Sequence, residues 1–245
     1  MATNDLAFDP DIWSRVLRDF HRRGETHLRF RRDDDWADDE AGIPAAYYEP
    51  LGPDERGLLA ALTGRVLDVG CGPGRHTLWL QEHGLDAVGI DIAPGAVEVA
   101  QLRGCREVCV MDALALDFPD ESFDAAIMMG NNLGMAGTIE GTLALLRELH
   151  RVVRPGGQLR ANGRDPLATD EPRHLAYHEW NRRRGRPPGQ VTMRFEYERY
   201  CGPWFDWLLF ERERLADLLD QTGWRPLKWT GKPPSPTYFL VAEHV

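Results

Sequence analysis

The sequence predicts an α/β protein: a doubly wound, mostly parallel seven-stranded sheet with helices on both faces and an antiparallel closing strand, plus an N-terminal cap and a lid insertion. Three observations predict it. From Arg65 onward, short β-rich runs alternate with helical patterns, each pair separated by Gly or Pro. The run at residues 125–129 is apolar throughout, as a strand covered on both faces should be. The last two strand-like runs, 224–230 and 237–242, have no long crossover between them and should pair antiparallel.

In chain order, Ile12, Val16 and Phe20 recur at helical spacing, as do Trp13 and Leu17, so the polar N-terminal stretch should hold one amphipathic helix. The charge block at 31–40 reads as a solvated or mobile loop. A strand at 66–69 leads through a Gly-rich turn into a helix over 76–83. A second strand spans 87–90, and Pro94 is placed to open a helix through Leu102. Strands follow at 107–111 and 123–129. A long helix at 138–153 carries Leu143, Leu146, Leu149 and Val153 along one face and stops at Arg154-Pro155-Gly156-Gly157, before a fifth strand at 158–162. Residues 164–190, rich in Arg, Pro and Gly, break this rhythm as an insertion or lid. Residues 193–210 alternate aromatics and charges like paired strands, and a helix over 211–222 is closed by Gly223. The expected division is a cap (1–55), a ligand-binding core (56–163), an insertion with acceptor-side strands (164–210), and the closing helix and strands of the core (211–245).

Composition narrows the function classes. The chain has 245 residues, with 29 basic against 39 acidic and a formal net charge of −10. A nucleic-acid partner would need a local basic patch acting against that field. Cys71, Cys105, Cys109 and Cys201 form no CxxC pair, which suits free thiols in a reducing cytoplasm. No apolar run approaches the roughly 20 residues that cross a bilayer, and no leader pattern opens the chain, so a soluble cytoplasmic protein is expected.

The informative stretch is Val66-Leu67-Asp68-Val69-Gly70-Cys71-Gly72-Pro73-Gly74-Arg75-His76. Glycines at 70, 72 and 74 let the chain turn out of a strand and bring a ligand against bare main chain. A dinucleotide fingerprint would place its third glycine at 75, where this chain has arginine. Asp91 ends the second strand, 21 residues past Gly70, where a carboxylate can accept hydrogen bonds from both hydroxyls of a ribose. Met111-Asp112-Ala113 follows the third strand. Phe118-Pro119-Asp120-Glu121-Ser122-Phe123-Asp124 leads into the fourth, and Leu149-His150-Arg151-Val152-Val153-Arg154-Pro155-Gly156-Gly157 precedes the fifth. In this order the five features resemble the motifs of the class I, Rossmann-like S-adenosylmethionine (SAM)-dependent methyltransferases.

The resemblance implies SAM as cofactor, S-adenosyl-L-homocysteine as product, and a set of roles. Asp68 would orient the glycine loop near the methionine ammonium. Gly70, Cys71, Gly72 and Gly74 would line the cofactor through main-chain atoms. Asp91 would hold the ribose, Ile92 would pack on the adenine, Asp112 with Ala113 would meet the adenine edge, and Gly130 would turn a carbonyl toward the methionine ammonium. Gly130-Asn131-Asn132-Leu133-Gly134 departs from the Pro-Pro-aromatic motif of nucleobase amine methyltransferases and is similar to small-molecule N-methyltransferases. A small-molecule acceptor is therefore expected, with N-, O- or C-nucleophile open, no membrane, nucleic acid disfavoured, and monomer or homodimer both open.

Transfer from an activated methyl donor rests mainly on positioning, so no fixed catalytic constellation is required. Tyr47, Asn131 and His174 are the candidates for acceptor-side chemistry, with Tyr48, Asn132, Arg164, Asp165 and His178 beside them. His174 and His178 share a helical face but lack a third ligand, so no metal is expected. The aromatic stretch 197–207 reads either as strands packing under the lid or as a wall for an aromatic or heterocyclic acceptor, with Trp204 or Trp207 stacking on it. Arg182-Arg183-Arg184-Gly185-Arg186 reads as a loop offsetting the acidic block, or as a docking patch of an RNA or protein methyltransferase. A SAM-binding module without turnover, or a nicotinamide oxidoreductase, are the remaining alternatives.

Overall fold

The computed structural model describes residues 6–39, 42–231 and 235–245. The N-terminal segment holds β1 (Ala7–Phe8), α1 (Ile12–Arg23), β2 (Leu28–Arg32), β3 (Ala37–Asp39), α2 (Gly42–Ala46) and α3 (Pro53–Leu59). The predicted periodicity builds α1: Ile12, Val16, Leu17 and Phe20 are buried, and Gly24 ends it by donating its N–H to Phe20 O. The charge block does not form a loop. Its residues through Asp39 make the β2–β3 hairpin, while Glu40 lies outside the described residues. Its charges are neutralised locally, which is why the segment can be ordered: Arg32 pairs with Asp34 at 2.6 Å, and Asp33 accepts from the Tyr177 hydroxyl at 2.5 Å.

The core follows as β4 (Arg65–Val69), α4 (Arg75–Glu82), β5 (Asp86–Asp91), α5 (Pro94–Leu102), β6 (Glu107–Val110), β7 (Phe123–Met128), α6 (Ile139–Val152) and β8 (Val153–Arg164). Thr138 caps α6 by accepting from Gly141 N at 3.0 Å, and Leu145, Leu146, Leu149 and Val152 are buried along its inner face. The Pro-Gly-Gly stop is absorbed into β8, where a register shift between Phe123 and Ala125 of β7 accommodates it. The chain closes with α7 (Pro172–Arg183), β9 (Gln190–Tyr197), β10 (Tyr200–Cys201), β11 (Phe205–Leu208), α8 (Arg212–Asp220), β12 (Trp224–Thr230) and β13 (Thr237–His244). The insertion carries a 12-residue helix, which includes His174 and His178.

The seven-stranded sheet has the order β12-β13-β8-β7-β4-β5-β6, with β13 antiparallel to both neighbours and the five strands from β8 to β6 mutually parallel. Chain order reverses at β4, so the loops leaving β4 and β7 diverge and open a crevice at their carboxyl ends. A second sheet, β1-β10-β9-β2-β3 with β11 also on β9, joins the N-terminal segment to residues 190–208. Phe30 of β2 lies opposite Phe195 of β9 in its middle. The N-terminal helix is fastened to the core: Gly95 N donates to Ser14 Oγ at 2.8 Å, and Arg18 pairs with Glu98 at 2.6 Å.

Candidate active site

The glycine loop leaves β4 with the amides of Gly70 and Cys71 both donating to Ile90 O at 2.9 Å. Gly70 has φ +72°, and a Cβ there would run into the Asn132 amide and the Met135 methyl group. Gly72 has φ +53°, and its Cβ would sit 3.0 Å from Tyr47 Cε1. Gly74 opens α4 where Ala100 and Cys105 close in. Asp68, 1 % exposed, lies beneath the loop and accepts from Thr77 Oγ1 at 2.7 Å, tying β4 to α4. Burial raises its pKa, with His76 acting against that. The Cys71 thiol is also buried and pushed well above its ordinary pKa by that burial and by Asp68, so it offers main-chain groups and no thiolate.

At the end of β5, Asp91 accepts from Gly72 N through Oδ2 and from Ala93 N through Oδ1, each at 2.9 Å. A carboxylate has about four acceptor positions, so two remain after these amides are satisfied. Burial raises the Asp91 pKa while its two amide bonds lower it. Ile92 beside it is 70 % exposed. Met111 N donates to Asp91 O at 3.0 Å, bringing the end of β6 alongside, where exposed Asp112 accepts from Leu114 N at 2.9 Å and Ala113 is buried. Two carboxylates and two exposed aliphatic side chains, Ile92 and Leu114, thus stand at adjacent strand ends.

Beyond β7, Gly130 is exposed and Asn131 adopts φ +63°. The Asn131 main chain is pinned on both sides: its N–H donates to Asn162 Oδ1 at 3.3 Å, and its carbonyl accepts from Trp207 Nε1 at 3.2 Å. Its side-chain oxygen is buried without a hydrogen-bond partner. Asn132 Nδ2 donates to Val69 O and Gly70 O, each at 2.9 Å, locking this turn to the glycine loop.

The aromatic residues complete a circuit. Tyr47, against Gly72, meets Trp13 edge-on at 6.3 Å, and Trp13 stacks on Phe195 at 5.0 Å. Phe195 touches Phe205 at 5.1 Å and Phe205 touches Trp207 at 6.4 Å, which returns to Asn131. All five rings are partly exposed. Burial, then Asp91, keeps the Tyr47 phenol protonated. Trp13, Phe195 and Phe205 were not named as site residues, though each left a signal: Trp13 in the periodicity of the first helix, Phe195 in the alternation with Arg194 and Glu196, and Phe205 within the aromatic stretch 197–207. Trp204 lies elsewhere, with the Arg194 guanidinium 4.9 Å above its ring, on the outer polar face of the sheet. Tyr48 packs on Phe20 and shares a 3.0 Å hydrogen bond with His21 Nδ1.

His174 meets Trp36 edge-on at 5.9 Å and lies 3.4 Å from Thr169 Oγ1; burial and then Arg32 lower its pKa. His178 is buried with Nδ1 unpartnered. Neither histidine touches the circuit by any ring contact or hydrogen bond among the described residues. No group of three metal-ligating side chains occurs among the described residues. The arginine run is paired: Arg182 and Arg183 with Glu179, Arg184 with Asp33 at 3.3 Å, and Arg186 with Asp206 at 2.8 Å. No helix among the described residues is long and apolar enough to cross a membrane.

Known proteins share this arrangement. Residues 66–157 match the family described as a methyltransferase domain. A mouse protein named Probable tRNA methyltransferase 9B is 42% identical over 94 residues, covering 38% of this chain and 20% of that protein. Demethylmenaquinone methyltransferase of Tropheryma whipplei is 39% identical over 97 residues, covering 38% and 39%. The chain therefore spans well under half the length of these curated relatives. A SAM-dependent methyltransferase from Bacteroides fragilis, solved in complex with S-adenosyl-L-homocysteine, superposes with TM-score 0.80 at 25% identity over 100% of both chains. With the motif order, the switch-point crevice and these matches in agreement, residues 66–157 form a methyltransferase domain, and the chain has the fold of a SAM-dependent methyltransferase.

Proposed function

We propose that this protein transfers a methyl group from SAM to a small-molecule acceptor with a planar aromatic or heterocyclic body. The observation that carries the reading is the circuit of contacts from Gly72 through five partly exposed rings to Asn131, and through its neighbour Asn132 back to Gly70. Rings that pack on one another while keeping open faces are preorganised to stack on a flat ligand and to exclude water.

The glycine loop suits SAM, because positive φ at Gly70 and Gly72 turns the chain sharply out of β4 and leaves main-chain groups free of side chains along the loop. Gly70, Cys71, Gly72 and Gly74 would present main-chain groups, and Asp91 would accept from the ribose hydroxyls with its two remaining positions. Ile92 and Leu114 would flank the adenine, with Asp112 and Ala113 at its edge, Gly130 would meet the methionine end, and Asp68 would hold the loop from beneath. When bound, SAM supplies a methyl group already activated on a sulfonium. The chain then has to orient the acceptor and keep water out. Asn131 would align an N–H or O–H of the acceptor through its unpartnered amide oxygen. Tyr47 serves as a wall and hydroxyl donor, not as a base, since its phenol stays protonated. An amine acceptor needs no base; for a hydroxyl acceptor that extends beyond the ring circuit toward Trp36, His174 is the titratable candidate, its pKa lowered by burial.

A tRNA acceptor, suggested by the name of the mouse relative, would need free cations. The arginines of the 182–186 run are all engaged with carboxylates, Arg182 and Arg183 sharing Glu179, which favours the small molecule. The test is mass spectrometry for a 14-dalton gain, about one methylene, after incubating protein and SAM with aromatic amines, phenols and total tRNA. Methylation of tRNA alone, with steep salt dependence, would overturn the small-molecule reading.

A further inference from the structure

A second cleft, of about 470 Å³, lies where α3 meets the closing strands, away from the glycine loop. Across its floor Arg160 of β8, Val241 of β13 and Lys228 of β12 stand in register, one beside the next. Arg160 is only 6 % exposed and forms no ion pair among the described residues. Its Nε and Nη2 donate to Gln158 Oε1 at 3.0 and 2.6 Å, and its Nη1 donates to Leu58 O. Of the five N–H donors of a guanidinium, about two remain without a partner. Burial alone lowers its pKa, so this charge is screened by neither water nor a carboxylate. Gln158 and the Leu58 carbonyl together account for three of its donors and leave those two, on a residue that lines the cleft, without an assigned role.

The other walls sort by chemistry. Lys228 is exposed at the rim, without an ion pair among the described residues, and Asp54 on α3 is the one acid of the lining. Phe239, Leu58 and the half-exposed Leu227 give it an apolar side. Two cations against one acid give this cleft a locally positive balance in a chain of net charge −10. Its volume falls in the range of small-ligand sites.

We propose that this cleft binds a small amphipathic anion, a carboxylate or phosphate head on an apolar tail, at a site separate from the methyl-transfer crevice. The head lies between Arg160 and Lys228, and the tail runs along Leu227 and Phe239.

Because Arg160 also holds the Leu58 carbonyl, the test changes the exposed partner, Lys228→Glu. Titration calorimetry on the full chain compares octanoate, octyl phosphate, octanol and inorganic phosphate. One or both amphipathic anions should bind, with octanol and inorganic phosphate weaker by about tenfold or more, and Lys228→Glu should weaken the anion by about tenfold, the worth of one charge-assisted contact. SAM affinity of the variant should stay at the parent value, which shows an intact fold. Failure of both amphipathic anions to bind at millimolar concentration overturns the proposal. So does equal binding of octanol or inorganic phosphate, or an affinity unchanged by Lys228→Glu.

Discussion

The proposed cofactor side and the proposed acceptor side of the crevice are made in opposite ways. The glycine loop, Asp91 and Asp112 lie within 43 residues of one another, at the ends of β4, β5 and β6, which are consecutive in sequence and adjacent in the sheet. The aromatic wall draws Trp13 from α1, Tyr47 from beyond α2, and Phe195, Phe205 and Trp207 from strands more than 140 residues later. The first depends on main-chain geometry, which tolerates almost no substitution. The second depends on side-chain area, which can be exchanged ring for ring. Grip on the donor should therefore be brittle and selection of the acceptor adjustable.

The largest expected effect breaks the brittle half. Gly70→Val forces a branched side chain into φ +72° and against Asn132, at a strain of about 3 kcal/mol, so SAM affinity measured by calorimetry should fall about 100-fold or more. Asp91→Ala removes two amide contacts within the loop together with the proposed ribose contacts; its SAM affinity should fall by about 1.5–3 kcal/mol. An unchanged dissociation constant would remove Asp91 from the donor site. On the adjustable half, Phe195→Ala should raise the acceptor KM about tenfold, from about 1.5 kcal/mol of lost ring contact, with SAM affinity unaltered. A matching loss in both ligands would show that the two halves are not separable.

The smallest effect concerns pH. His150 packs against His244 at 3.6 Å, with Nε2 buried and unpartnered; burial and then His244 lower its pKa. The unfolded chain therefore binds more protons at this position, so its contribution to stability is full above about pH 6.5 and is lost as pH falls below that value. The melting temperature should drop between pH 7.5 and 5.5, and His150→Phe should flatten the drop.

The same contrast governs what could be read in advance. The order of strands and helices from Arg65 to Asn162 was legible because each parallel strand is a short apolar run bounded by a Gly or Pro turn. So were Gly70, Gly72 and Asp91, whose demands are local. The β2–β3 hairpin was not, because its period of two is carried by Leu28, Phe30 and Arg32, and the last of these is buried through Asp34 and the rings of Tyr177 and Trp36. The acidic block looks unburiable until Arg184 and Tyr177 arrive from α7 and the residue that follows it. The circuit of rings was hidden for the same reason: no segment contains more than three of its members. Trp204 and Trp207 are near neighbours in sequence, yet only the latter reaches Asn131.

The fastening of α1 to α5 reaches further than local packing. Ser14, next to Trp13, receives the Gly95 amide, and a Cβ at position 95 would meet the Ser14 backbone at 2.7–2.8 Å. The proposed roof over the acceptor thus hangs from the helix that follows β5. A chimera importing a foreign N-terminal segment to change acceptor preference must import the matching turn of α5 with it, or the graft will sit askew over an intact donor cradle.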